Sequence, residues 1–335
     1  MKTGRTSLHR FIGEHTRHPD PFVRSDAARL LGEIRAKSAV PWLADMLAKD
    51  PRHSKISAIY ALAEIRDRRA VPVLLDMARN PGVFDFSGFY NHDMIRYAAA
   101  IALAILGDAR GAESVADLLR IGNGDALVHL SPYLSSLPDS PLLRPFKKRV
   151  DLDFLLNPGK SFNTVRDARI AESLRHYHTP ESLSALRNYS KHYSRYVRAH
   201  AAGSLSHLNP SPAATLYLKK WQRREKAPFT RIILARELAR RGVSSAWIVL
   251  VRGLESPDSF IRATATEALG ALGDASASPA IAKRLADGDF YVRLCAIEAQ
   301  EKLKCRESRA EIQKCFERDH PRVRMQAAKY LVSKA

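Results

Sequence analysis

The residues that staple, anchor or catalyse are scarce in this chain. Three cysteines, Cys295, Cys305 and Cys315, occur in 335 residues, and no CxxC pair is among them. An odd count without metal-ligand spacing argues against a disulfide framework and for a reducing, cytoplasmic setting. Cys295 falls within a helical pattern and reads as a small core residue. No apolar run approaches the roughly 18 residues of a membrane span. The opening MKTGRTSLHRFIGEH lacks the apolar core of a secretory signal. It reads as a capping helix, with a mitochondrial presequence as the alternative. Gly-rich phosphate loops, GxSxG elbows and Walker patterns are all missing. His176, His178 and His192 hold an HxH, but they lie among arginines that would repel a cation, so no metal and no cofactor are expected.

Acidic residues are also in deficit. There are 54 Lys and Arg against 35 Asp and Glu, a net charge of +19. Such an excess predicts attraction to anions: nucleic acid, acidic protein surfaces or anionic lipid. From 161 to 241, sixteen cationic side chains face five acidic ones, which is +11 of the total. Tyr177, Tyr189, Tyr193, Tyr196 and Trp221 interleave with them, together with His176, His178, His192 and His200. Cations alternating with planar side chains suit an extended anion.

What the chain does have is a repeat. PDSFIRATATEALGALGD, GDFYVRLCAIEAQEKL and DHPRVRMQAAKYLV stack so that Ile261-Arg262, Val292-Arg293 and Val323-Arg324 recur at one fixed step. The step is the length of one helical hairpin, and it marks a stack of hairpins, each unable to bury its apolar face alone. An earlier unit begins at Asp20-Pro21, where Val23, Ala27, Leu30, Leu31 and Ile34 follow helical spacing. A second helix follows with Val40, Leu43 and Leu47 inward. Regular repeats return at Arg166, Arg198 and Arg231, separated by nearly the same step.

The expected architecture is an all-α right-handed α-solenoid of about nine or ten helical pairs. Residues 1–120 form N-terminal repeats, 121–160 an irregular repeat, hinge or domain boundary, and 161–335 C-terminal repeats, the whole being one continuous, monomeric body. An insertion at 81–94 carries Phe84, Phe86, Phe89 and Tyr90, either as a contact loop or as a plug over the core.

The pattern D-x-x-V-R-x-x-A-A-x-A-L-G followed by A-V-P resembles the HEAT-like repeat of the phycobilisome-lyase type. Asp20, Val23, Arg24, Ala27, Ala28, Leu31, Gly32, Ala39, Val40 and Pro41 carry the likeness, as do Asp258, Ile261, Arg262, Ala265, Leu269 and Gly270. The resemblance implies that the V-R helices line the concave face. It also implies an Asp–Arg ladder, and Asp20/Arg24, Asp258/Arg262 and Asp289/Arg293 all have the i, i+4 spacing that such a pair needs. Arg166, Arg198 and Arg231 lack that acidic neighbour and are expected to grip an external anion. Arg195, Lys219, Lys220, Arg223, Arg224, Arg236, Arg240 and Arg241 would add attraction.

Relatives of this architecture include enzymes. Deoxyhypusine hydroxylase uses His-Glu pairs as di-iron ligands, and this chain contains no His-Glu dipeptide. The HEAT-like alkylpurine DNA glycosylases place one carboxylate at the lesion to stabilise a cationic sugar. Asp167 and Glu237 are the candidates for that role here. The expected function is a non-catalytic scaffold whose basic face holds nucleic acid or an acidic protein. The alternatives are a glycosylase, and a protein–protein adaptor or bilin-lyase-like chaperone.

Overall fold

A computed structural model describes residues 5–50, 52–80, 92–121, 125–158, 163–208 and 211–333. Among these residues every regular element is helical, and the chain is an all-α solenoid. It divides into two compact units, Met1–Pro158 and Gly159–Ala335. The aromatic insertion, including Phe84, Phe86, Phe89 and Tyr90, lies outside the described residues.

In the first unit the helices are α1 (Arg5–Glu14), α2 (Pro21–Glu33), α3 (Val40–Lys49), α4 (Arg52–Ile65), α5 (Val71–Arg79) and α6 (His92–Ile105). Short helices follow: α7 (Arg110–Ser114), α8 (Ala116–Ile121), α9 (Asp125–Val128), α10 (Ser131–Ser136), α11 (Arg144–Arg149) and α12 (Leu152–Leu156). The A-V-P helices are α3 and α5; α2, α4 and α6 are the V-R helices and pack side by side. Asp20 starts α2 by accepting from the Phe22 N–H at 2.8 Å, with Pro21 in the first turn, where no donor is needed. Val23, Ala27, Leu30 and Leu31 are buried, as the spacing predicts. Gly32 is required by close approach, since a Cβ there would lie 2.8 Å from the Ala61 Cα of α4.

The proline-rich stretch after 121 is broken into short helices, but it is folded onto this unit. Leu127, Val128, Leu134, Phe146 and Leu155 are all buried. Tyr133 meets Tyr60 of α4 edge to face at 4.8 Å, and Phe146 meets Tyr97 of α6 at 6.5 Å. These residues touch α4 at Tyr60 and roof α6, which is buried around most of its circumference.

The second unit holds α13 (Thr164–Ser173), α14 (Pro180–Tyr189), α15 (Arg195–Leu208), α16 (Pro212–Arg224), α17 (Pro228–Arg240) and α18 (Ser244–Gly253). It continues through α19 (Ser259–Leu272), α20 (Ser278–Ala282), α21 (Phe290–Lys302), α22 (Arg309–Arg318) and α23 (Pro321–Ser333). The V-R helices α13, α15, α17, α19, α21 and α23 form one contiguous row. A single core runs from Ala202 to Leu331 beneath it. Gly270 lets α19 and α21 touch: a Cβ would meet Ala299 Cα at 2.7 Å.

Candidate partner-docking face

The expected ladder pairing is corrected by the structure. Asp20, Asp258 and Asp289 do not hold the arginines four residues on; they cap their helices, accepting from the N–H groups of Phe22, Phe260 and Tyr291. Each arginine reaches instead to a carboxylate at the end of the following helix. Arg24 Nε donates to Asp50 at 2.5 Å. Arg262 forks onto Asp287 at 2.8 and 2.9 Å, and Arg293 onto Asp319 at 2.5 and 2.7 Å. One guanidinium nitrogen of each also donates to two carbonyl oxygens of the preceding turn, for example those of Ser256 and Pro257 for Arg262. One side chain thereby ties three chain segments together. The reach spans most of a hairpin, which is why an i, i+4 inspection picks the wrong partner.

Arg198 belongs to this same clamp. It forks onto Glu225 at 2.7 and 2.9 Å and donates to the His192 and Tyr193 carbonyls. Burial alone would raise the Glu225 carboxyl, but Arg198, the Ala227 N–H and Trp221 hold it below the usual range. Arg198 is thus not the free cation that the missing carboxylate at Ser194 suggested, because its acid enters from just beyond the end of α16. Arg166 is corrected as well: it is buried at 5% exposure, out of reach of an external anion. Arg231 is exposed and, among the described residues, makes no ion pair.

Apart from Arg195, the supporting cations separate into three groups. Arg241 is half-buried and donates to Ser206 and Thr215, so it stitches α17 to the preceding pair rather than facing a partner. Arg236 and Arg240 converge on Glu237 at 2.6 and 3.3 Å. Lys219, Lys220, Arg223 and Arg224 lie on α16, a second helix, away from the V-R row. The two carboxylates considered for catalysis are also engaged. Glu237 has no exposed surface. Asp167 sits 3.4 Å from His192 Nε2, and burial raises its carboxyl above the ordinary range. Neither points an uncommitted carboxylate at a substrate cavity. Among the described residues no cluster of three His, Cys, Asp or Glu is arranged to hold a metal ion, and no helix is long and apolar enough to cross a membrane.

The repeat geometry defines four positions on the outward side of a V-R helix: two, six, nine and thirteen places after the cap. On α15 these are Tyr196, His200, Gly203 and His207; on α17, Phe229, Ile233, Arg236 and Arg240. The first position makes an aromatic row. Tyr196 and Phe229 lie 5.5 Å apart, Phe229 and Phe260 5.2 Å. Tyr291 continues the row on α21. Tyr196 is 45% exposed and Phe260 39%. Arg195 stands over the Tyr196 ring at 5.0 Å, and its carbonyl accepts from Thr230 at 3.0 Å, which brings Arg231 to the same edge. Exposed Lys191 and Lys226 flank it in the preceding turns. Neither α15 nor α17 has an acidic side chain in its first turn, and the α17 cap, Ala227, provides no side-chain acceptor. Positive helix ends and cations therefore coincide at this edge.

A family model for HEAT repeats matches residues 11–85 and 217–299. This is a HEAT-like repeat protein. The HEAT hairpins explain both the arginine clamp and the glycine contacts. No curated protein sequence matches the chain. Similar solved structures include the complex of CpcE and CpcF of phycocyanin lyase from Nostoc sp., at 19% identity and TM-score 0.30, covering 97% of this chain and 93% of that one. Human deoxyhypusine hydroxylase in complex with glycerol has 18% identity and TM-score 0.33, covering 99% of both chains. Kap121p bound to Pho4p has 12% identity and TM-score 0.39, covering 98% of this HEAT-like chain and 38% of that chain.

The aromatic row itself has a sequence signal that simple charge counting misses. Tyr196, Phe229, Phe260 and Tyr291 fall at a constant offset from the cap, one repeat apart, on a face where solvent would favour polar groups.

Proposed function

We propose that this protein is a non-catalytic binding scaffold, and that its partner is an acidic protein segment carrying apolar side chains. It docks along the row Tyr196–Phe229–Phe260, beside Arg195 and Arg231. The observation that carries the reading is the pairing of half-exposed rings with cations that hold no carboxylate. Aromatic and arginine side chains dominate the energetics of protein interfaces. A single nucleic-acid strand would need open ring faces for its bases. Here neighbouring rings cover one another at 5.2 to 5.5 Å, leaving a continuous apolar strip rather than separate stacking platforms.

A random copolymer of glutamate and tyrosine is a suitable probe, with an oligothymidylate single strand as its rival. The scaffold should bind the copolymer more tightly, and Arg231→Glu or Phe260→Ala should weaken that binding at least fivefold. Rim charges act mainly through association rate, so binding should also weaken with salt. Tighter binding of the oligothymidylate, or no copolymer binding at low salt, would overturn the proposal.

A further inference from the structure

Gly203 stands in the middle of α15, where glycine is destabilising relative to alanine. Gly32 and Gly270 have packing reasons for this. Gly203 has none: a Cβ there would meet only Arg236 Nη2, at 3.7 Å. The missing side chain keeps open a cleft of about 270 Å³ between α13, α15 and α17. Glu172, Arg175, His200 and Arg236 supply its polar wall, and Phe229 and Ile233 its apolar wall. Phe229 also belongs to the aromatic row, so the cleft opens beside the docking strip.

The charges around the cleft do not balance. Glu172 already accepts from Arg169 at 3.0 Å and Arg175 at 2.7 Å, with His200 Nδ1 3.6 Å away. Arg236 and Arg240 share the fully buried Glu237. Of the charged groups that line the cleft, Arg175 and Arg236 thus face Glu172 alone, an excess of one positive charge in a half-buried place. A cationic guest would be repelled and a neutral one would leave the excess standing.

We infer that the cleft receives an aspartate or glutamate side chain of the docked segment, its carboxylate between Arg175 and Arg236 and its methylenes against Phe229 and Ile233. The inference rests on the scaffold reading above and specifies how it selects its partner. The histidines agree with it. Burial first holds His200 and His207 below their ordinary range, against Glu172 at His200 and with Arg175 adding to it at both, so neither imidazole competes as a cation for the cleft.

The test uses substitutions at Gly203, where an added Cβ meets no backbone of a neighbouring helix. Gly203→Leu should fill the cleft, weaken copolymer binding at least tenfold and leave the thermal midpoint unchanged or higher. Gly203→Glu should supply the missing carboxylate from within: its midpoint should exceed that of Gly203→Gln by several degrees, and copolymer binding should fall at least tenfold. Equal midpoints for the Glu and Gln variants would refute the anionic assignment. Binding within twofold of the parent in Gly203→Leu, with Phe260→Ala still impaired, would sink the cleft and spare the scaffold. Failure of the parent to bind the copolymer at all would sink both.

Discussion

In the first unit the outward face of α6 is roofed by the chain's own residues 125–158, whereas in the second unit the equivalent faces of α15 and α17 stay open. The residues at matching positions differ accordingly. On α6 they are Met94, Ala98 and Ile101, each about 2% exposed. On α15 they are Tyr196, His200 and Gly203, none buried. The backbone frame is the same, so the difference is one of side chains and of what covers them. A V-R helix carrying Met, Ala and Ile outward needs a roof, and the short helices α9 to α11 provide it. A helix carrying Tyr, His and Arg outward tolerates water and leaves its rings available.

The sharpest way to break this comparison is to truncate one ring from each face. Phe146 is fully buried against Tyr97. Phe146→Ala should destabilise the first unit by about 3–5 kcal/mol, read as lost hydrogen-exchange protection in α6. Phe260→Ala in the open row should cost less than about 1 kcal/mol, because solvent replaces little lost packing. If Phe260→Ala proved as damaging as Phe146→Ala, the row would be core and not a docking surface.

The arginine clamp offers a second contrast, between Arg262 and Arg231 at the same repeat position. Arg262→Ala takes the fork from Asp287, whose side chain is only 4% exposed, leaves it with Arg284 at 3.5 Å, and should cost about 3 kcal/mol by chemical denaturation. Arg231→Ala removes no carboxylate partner and should change stability by less than about 0.5 kcal/mol. Equal costs would mean that Arg231 is clamped too and is no anchor for a partner.

These contrasts also mark what could be read from the chain alone. Helical hairpins, their apolar faces and the glycine at the A-L-G crossing follow from local periodicity, and Val23, Leu30 and Leu31 lie where that periodicity puts them. The clamp partners do not, because Asp50, Asp287, Asp319 and Glu225 enter from the end of another helix. Only the packing of the hairpin decides which loop carboxylate faces which guanidinium. The same limit hid the commitment of Arg198, whereas Arg236 and Arg240 share Glu237 from one and three residues away, a local spacing that charge counting passed over. The 161–241 charge excess is real, yet only Arg195, Arg231 and their flanking lysines stand with the open rings, while α16 carries much of the rest. The roof was illegible for a related reason: its prolines disrupt helical periodicity without disturbing the burial of Leu134 or Phe146.

Acid should expose a further difference, because the open face of the second unit concentrates histidines. His176, His200 and His207 are all held below their ordinary value, by burial first and by nearby arginines, with Arg175 acting on all three. Above about pH 6.5 both folded and unfolded forms are neutral and nothing is lost. As pH falls through that value the unfolded chain takes up protons that the folded one refuses, so stability declines until the folded values are reached. A second decline belongs to the clamp carboxylates. Burial would raise Asp287 and Asp319, but their arginines hold both below the usual range, so their stabilisation is lost only as pH falls below about 4. Thermal midpoints measured from pH 7.5 to 5 should fall, and His200→Gln should flatten the slope. A slope unchanged by His200→Gln would assign the decline to other groups.

The smallest expected effect concerns the hairpin turn, a feature that both units share. Arg35 and Arg66 in the first unit and Lys304 in the second adopt positive φ, 51 to 57°, where the repeat also uses Gly107, Gly242 and Gly273 at 74 to 78°. The turn after the V-R helix demands the left-handed region, in which a side chain bearing Cβ is strained by about 1–2 kcal/mol. Glycine relieves the strain but loses more conformational freedom on folding, by about 0.5–1 kcal/mol. Lys304→Gly should therefore stabilise the second unit by roughly 0.5 kcal/mol, and Arg66→Gly the first by a similar amount, both read from denaturant midpoints. The cationic heads at these turns make the outcome informative. A loss of stability in Arg66→Gly alone would mean that its side chain, near Tyr133 of the roof, contributes more than its backbone strain costs, and the covered face would then depend on that turn as well as on its rings.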